Sequence, residues 1–382
     1  MNRTFRIFAA GLIGLTASLG TLAETGVSDT AISLGMSLPL SGPSGPNGQE
    51  IKQVVTAYFD QVNKSGGING RHIELTVLDD GYDADRTVAN TKTLINDRKV
   101  FALLSYFGTT PTTDAMDKVF GPAKVPLVGV ISGAANLRQP ASANPNTRYV
   151  FNLRASYAEE AEAVTNQMLS IGIKNVAVLY QNDGFGKSGL EGVTAALKKH
   201  NLAPVATGTV ERNSEDVNKA VEAIAKANPQ GVVLVTLHKP AVNFIKGMKQ
   251  KGQGPMFTAL SPIEAELLYR GLPTDARGVG ISQVMPFPWN DTIPVVKDYQ
   301  RLLGKQGHYS YFGMEAYIAA RTMTEALRKA GAKDLSREKL VSTLESFNQD
   351  FGGYRVAFTP ANHSGSHFVE MTVIGASGKL MK

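Results

Sequence analysis

The chain reads as an α/β protein made of two doubly wound, Rossmann-like lobes, and three features of its pattern predict this. Apolar runs rich in valine and isoleucine alternate with amphipathic stretches, the alternation restarts near the middle of the chain, and two long helical stretches arrive after the second series ends. In the first series the strand-like runs are Ile32 to Leu38, Ile73 to Leu78, Phe101 to Ser105 and Pro126 to Ile131. Helix-like segments from Gly48 to Lys64, Ala84 to Asn96 and Thr112 to Phe120 separate them. The second series opens with Tyr149 to Leu153 and a helix from Tyr157 to Ile171. Strand Val176 to Tyr180, helix Gly186 to His200, strand Val205 to Val210, helix Glu215 to Ala227, strand Gly231 to Thr236 and helix Pro240 to Lys251 follow. The late helices, Ile293 to Lys305 and Tyr311 to Ala330, cover the first lobe if the chain crosses back.

Residues 1–23 have the pattern of an export signal. Arg3 and Arg6 precede an apolar run from Ile7 to Leu19, and small residues at Thr21-Leu22-Ala23 place a cleavage point before Glu24. The run is too short for a membrane span, so the mature protein is expected to be soluble and periplasmic. The full chain has 39 basic and 33 acidic residues, a net charge of +6; removing the two signal arginines leaves 37 against 33, or +4. The lysines are spread along helices and not clustered, which argues against a nucleic-acid partner. With no cysteine there is neither disulfide nor thiolate chemistry.

Open α/β sheets bind ligands beyond the carboxyl ends of their strands, where helix N-termini present unpaired amides. Leu103 to Val119, LLSYFGTTPTTDAMDKV, sits at such a place. Pro111 suits the first helical turn, because its missing N–H would lack a partner there anyway. Thr109, Thr110 and Thr112 then offer hydroxyls and amides to an anion, most simply a carboxylate; the structural alternative is a threonine N-cap.

Several stretches together resemble the type I periplasmic solute-binding proteins of ABC importers, in the leucine/isoleucine/valine-binding branch. They are Leu38-Pro39-Leu40-Ser41-Gly42-Pro43, Asn63 to Gly70 (NKSGGING), Leu78-Asp79-Asp80 with Ala84 beyond, and Lys124-Val125-Pro126-Leu127-Val128. Ser132-Gly133-Ala134 and Arg154-Ala155-Ser156-Tyr157 resemble a subgroup within that branch. The resemblance implies a three-segment hinge, with lobe 1 formed by 24–152 and 284–356 and lobe 2 by 153–283 and 357–382. It places the return to lobe 1 near Gln283 to Pro286 and a final crossover near Arg355 to Thr359. It implies an ABC permease as partner, a monomer, no cofactor and no catalysis.

By position, the resemblance assigns lobe 1 contacts to Ser41, Asn47, Tyr106, Gly108, Thr109, Thr110, Thr112, Ser132, Gly133 and Ala134. Lobe 2 contributes Tyr157, Phe185, Leu237 or His238, and Ser261. The family's amino-acid binders place a glutamate after the fifth strand of the second lobe to meet the ligand's ammonium. Here Ala259-Leu260-Ser261-Pro262 carries none, and Asp183 and Glu264 stand only nearby. A buried ammonium without a charged partner is costly, so the ligand is expected to be an aromatic or branched acid lacking an α-amino group, with a branched-chain amino acid as the commoner family ligand.

Two other readings compete. A sensor feeding a membrane signalling protein would share the fold. Gly184-Phe185-Gly186-Lys187-Ser188-Gly189, with Glu211 further on, has the spacing of a dinucleotide fingerprint. Against an NAD-dependent enzyme, Gln181, Asn182 and Asp183 separate the strand from the first glycine, and Phe185 would project toward the pyrophosphate. Among weaker signals, Asp83 suits a helix cap better than a calcium loop, and His363 and His367 read as a surface turn. Trp289 reads as packing beside the hinge.

Overall fold

The computed structural model describes residues 24–382; the expected signal lies outside the described residues. Five parallel strands form the first sheet, in the spatial order His72–Asp79, Ala31–Leu38, Ala102–Leu104, Leu127–Val128, Val150–Phe151. The second sheet has seven, in the order Leu380–Met381, Glu370–Ile374, Gly280–Gln283, Met256–Ala259, Gly231–Val235, Val176–Gln181, Thr207–Val210. Its five inner and far strands are parallel, while Glu370–Ile374 and Leu380–Met381 add in antiparallel sense beside Gly280–Gln283. Parallel strands buried on both faces explain the unbroken apolar runs, such as Val232 to Val235, in place of alternation.

The strands after Pro126 and Tyr149 are shorter than their apolar runs. Gly129, at φ +76°, ends its strand where a Cβ would come within 2.5 Å of Ala319, so the helix Tyr311–Ala330 packs directly on the backbone there. That helix is buried nearly all round, between the first sheet and helix Gly45–Lys64, and stops at Gly331, φ +85°. Of the two late helices, Tyr311–Ala330 covers the first sheet, and Pro294–Leu303 packs against it and against helix Gly45–Lys64.

Three segments pass between the sheets and lie side by side. Asn152 donates its N–H to the His363 carbonyl at 2.9 Å and accepts from Gly365 N–H at 2.7 Å. The Tyr354 hydroxyl reaches the carbonyls of Leu153 (2.6 Å) and Val284 (3.2 Å), tying the other two segments. Bending can then be absorbed in one place while each sheet stays rigid.

Candidate functional site

The stretch that held the threonines folds differently from its sequence reading in one respect: the helix begins at Thr109, three residues earlier than expected, after Gly108 at φ +90°. Pro111 sits third in the first turn, and the amides of Thr109 and Thr110 have no acceptor four residues back within the helix. A side chain at Gly108 would strike the Tyr82 ring at 2.3 Å, so glycine there serves both the turn and close packing.

Most of the expected residues converge. Thr109 and Ser132 share a hydroxyl hydrogen bond of 2.8 Å, Ser132 Oγ also accepts from Ala134 N–H at 3.2 Å, and Tyr157 N–H donates to the Gly133 carbonyl at 2.8 Å. Tyr157 stands first in helix Tyr157–Ser170, fixed by a capping box between Ser156 and Glu159. Its ring meets Phe185 at 5.0 Å and the Arg154 guanidinium at 5.6 Å. Arg154 in turn donates to Ser261 Oγ, which brings Ser261 into the same region. Thr112 is buried at the next turn with its hydroxyl unpartnered.

Four assignments fall elsewhere. Tyr106 is fully buried on the other face of the sheet, packed on Phe120 and bonded to Thr91, so it is core and does not face the cleft. The strand ends one residue before Ser105, whose positive φ of 50° turns the chain and sends Tyr106 inward. The Ser41 hydroxyl is engaged by Asp79 at 2.6 Å, and Asn47 lies buried inside the first turns of helix Gly45–Lys64. His238 opens helix His238–Gln250 in a second pocket with Pro43, Ser44 and Gln181; burial, aided by Lys239, holds its pKa down at about 4, so it is neutral at pH 7.

The lobes touch directly. Gly184 N–H donates to Thr110 Oγ1 at 3.0 Å, Gln181 Nε2 to the Tyr82 hydroxyl at 3.1 Å, and Asn213 Nδ2 to the Gly81 carbonyl at 3.2 Å. Arg212 lies over the Tyr82 ring at 5.8 Å. Tyr82 was not anticipated from the sequence, where nothing distinguishes it from a loop tyrosine.

The glycine fingerprint is a packing device. Asp183 caps helix Gly184–Lys198 by accepting from Phe185 and Gly186 amides. A Cβ at Gly186 would sit 1.9 Å from the Gln181 carbonyl, and one at Gly189 would strike Val235. Gly186→Ala is accordingly expected to cost about 1–3 kcal/mol or more by overpacking, measured by urea unfolding. Asp83 caps helix Ala84–Lys92 through Arg86 N–H at 2.9 Å. His363 stacks on Phe151, and His367 pairs with Glu159.

Beside the hinge lies a narrow pocket with a free volume of about 50 Å³, reached by both lobes. Arg154, Ser261, Glu264, Ser310 and Glu315 line it, and Trp289 stands at the rim, 46% exposed between Phe287 and Tyr311. Arg154 and Glu315 are almost fully buried; Arg154 bonds Glu160 at 2.9 Å and Glu315 at 3.4 Å. Glu160 also accepts from Ser261 N–H and Ser282 Oγ. Burial opposes the charge on Arg154, but Glu315 and Glu160 outweigh it and hold its pKa above the ordinary value. Burial pushes Glu315 up to about 7 despite Arg154, and Glu264 up to about 8, with Glu50 and Glu266 adding to it.

Arg154 stood in the crossover motif without a role, and Glu315 was legible as a charge inside an otherwise apolar helical run. The expectation of a ligand without an amino group rested on the lack of a glutamate in Ala259 to Pro262; Glu264, noted as standing nearby, lines the pocket through the turn that follows Ser261.

Two hinged α/β lobes around a shared cleft have the architecture of a two-lobed binding protein. The chain belongs to the periplasmic binding protein family, whose model matches residues 31–379. It is 22% identical over 249 residues to an amino acid binding protein of Pseudomonas aeruginosa, covering 65% of this chain but only 64% of that protein's length. Against the Leu/Ile/Val-binding protein homolog 3 of Brucella melitensis it is 21% identical over 327 residues, 85% of this chain and 86% of the relative. A substrate-binding periplasmic protein from Ralstonia solanacearum superposes with a TM-score of 0.83 at 31% identity, over 92% of this chain and 99% of the other. No helix among the described residues is long and apolar enough to cross a membrane.

Proposed function

We propose that this chain is the periplasmic substrate-binding component of an ABC importer, that it captures a small carboxylate-bearing solute between its lobes, and that it performs no chemistry. The relatives' names favour a branched-chain amino acid or a related acid. The observation that carries the reading is the pair of lobes meeting through Thr110 and Gly184 across a hinge whose three segments run together.

In this reading lobe 1 is 24–152 with 284–356, and lobe 2 is 153–283 with 357–382. Thr109, Thr110, Ser132 and the amides at the helix start receive the carboxylate. Tyr157 and Phe185 form an apolar wall. A ligand favours closure only through contacts it makes better in the closed form, which requires it to reach both lobes; Ser261 and Arg154 supply the second. Export past residue 23 and delivery to a membrane permease complete the proposal.

A thermal-shift screen of the mature protein against amino acids, aromatic acids and branched acids tests it. Ligand at a hundredfold excess over its Kd adds about 2.7 kcal/mol of apparent stability, a shift of a few degrees. Stabilisation by one of these classes is expected; stabilisation by NAD alone would contradict the reading.

A further inference from the structure

Among the contacts between the lobes, those at Tyr82 form a clamp made of protein groups alone. Tyr82 lies in the loop after strand His72–Asp79 of the first sheet, yet only 1% of it is exposed. Its ring stands edge-on to Phe107 at 5.3 Å, and the Arg212 guanidinium, from the turn after strand Thr207–Val210 of the second sheet, covers it at 5.8 Å. Its hydroxyl accepts from Gln181 Nε2 at 3.1 Å, and Asn213 Nδ2 donates to the neighbouring Gly81 carbonyl at 3.2 Å. A tyrosine covered from the opposite lobe loses part of its burial and its hydroxyl's partner when the lobes separate.

Each jaw is held by bonds within its own lobe. On the first, Tyr82 keeps φ +61°, uncommon for a residue other than glycine, because Asp80 Oδ1 accepts its N–H at 2.9 Å and Asp79 Oδ1 accepts those of Gly81 and Leu40, both at 2.9 Å. Asp80 is itself buried and takes the Ser37 hydroxyl at 2.7 Å. On the second, Asp183 Oδ2 accepts from Gln181 Nε2 at 2.7 Å while its Oδ1 caps helix Gly184–Lys198, so the Gln181 amide is aimed by its own lobe. None of these bonds requires a solute. Closure is also opposed here: Arg212 Nη1 is shut from solvent with no hydrogen-bond partner, 4.0 Å from Asp183, and a buried donor left unpaired is costly.

Resting on the hinged-receptor reading above, we propose that Tyr82, Gln181 and Arg212 form a latch between the lobes that acts without solute. It holds a standing minority of the solute-free chain closed, about 1–10%, and it slows the separation of the lobes after capture. The favourable ring and hydroxyl contacts make the closed form accessible, and the unpaired Arg212 donor keeps it from prevailing, so that a solute is still needed to complete closure. Tyr82 is a positioning residue in this role: it acts on the lobes and not on the solute.

A chain with no cysteine permits a direct test. Lys92→Cys and Lys219→Cys, exposed on helices Ala84–Lys92 and Asn218–Lys226, carry a donor and acceptor dye for single-molecule energy transfer in the mature, solute-free protein. Two populations are expected, the closed one a minority. Tyr82→Ala should lower the closed-to-open ratio at least about tenfold. Tyr82→Phe, which keeps the ring, should lower it about two- to tenfold, and so should Gln181→Ala on the opposite lobe. Combining the last two should lower it little further than either alone, because one bond is lost in each case; a purely local packing role would make their effects add. If Tyr82→Ala fails to fold, Tyr82→Phe and Gln181→Ala carry the test. A wild-type chain with no closed population, or a closed population that these variants leave unchanged, overturns the latch. The receptor reading is judged separately by the thermal-shift screen, and a solute that stabilises the wild-type chain there leaves it standing whatever the dyes report.

Discussion

Arg154→Met is expected to destabilise the mature protein by roughly 3–5 kcal/mol at pH 8, the range seen when one member of a buried ion pair is removed. The methionine fills much of the space, so the loss comes from charge and not from a cavity. Glu160 and Glu315 would be left facing each other at the hinge, both buried, with only the Ser261 amide and the Ser282 hydroxyl, both on Glu160, as donors. The dependence on pH separates this from a packing defect. An acid whose folded pKa is raised binds more protons folded than unfolded, so its penalty is fully present above the folded value and shrinks as pH falls toward the unfolded one. Glu315 already lies near 7 with Arg154 present, against an ordinary value of 4.5, and without it would lie higher. The deficit in urea unfolding should therefore narrow between pH 8 and pH 5; a deficit constant over that range would place the cost in packing.

Thr110→Val is the second large effect, and it acts on closure. In the closed form Gly184 N–H loses its acceptor, at a cost of about 1–3 kcal/mol. Each lobe alone is untouched, because the hydroxyl's partner belongs to the other lobe. Affinity for whichever solute stabilises the protein in the screen should fall by about 5- to 150-fold, with the melting temperature of the ligand-free protein nearly unchanged. Unaltered affinity would mean that the Thr110 contact is not part of the binding-competent form.

The architecture was largely legible in the sequence because parallel strands buried on both faces write themselves as uninterrupted apolar runs, and the helices between them carry caps such as Ser156 and Asp83. The site was legible only in part. Thr109, Tyr157 and Phe185 lie at strand or helix ends, which topology turns toward the other lobe, while Ser132 was reached only through the family resemblance. Tyr106 misled because a single positive φ at Ser105 reverses which face the next side chain takes, and no residue type announces that. Glu315 and Glu264 come together from positions about fifty residues apart, so only the folded arrangement reveals that both line one pocket. The fingerprint at Gly184 shows the converse: spacing alone cannot distinguish a phosphate cradle from glycines needed for contact with Gln181 and Val235.

Small-angle scattering of the mature chain, with and without a stabilising solute from the screen, tests hinged capture most directly. A smaller radius of gyration with the solute bound, and the solute recovered intact, is the predicted result. An unchanged radius at saturation, or conversion of the solute, would contradict it.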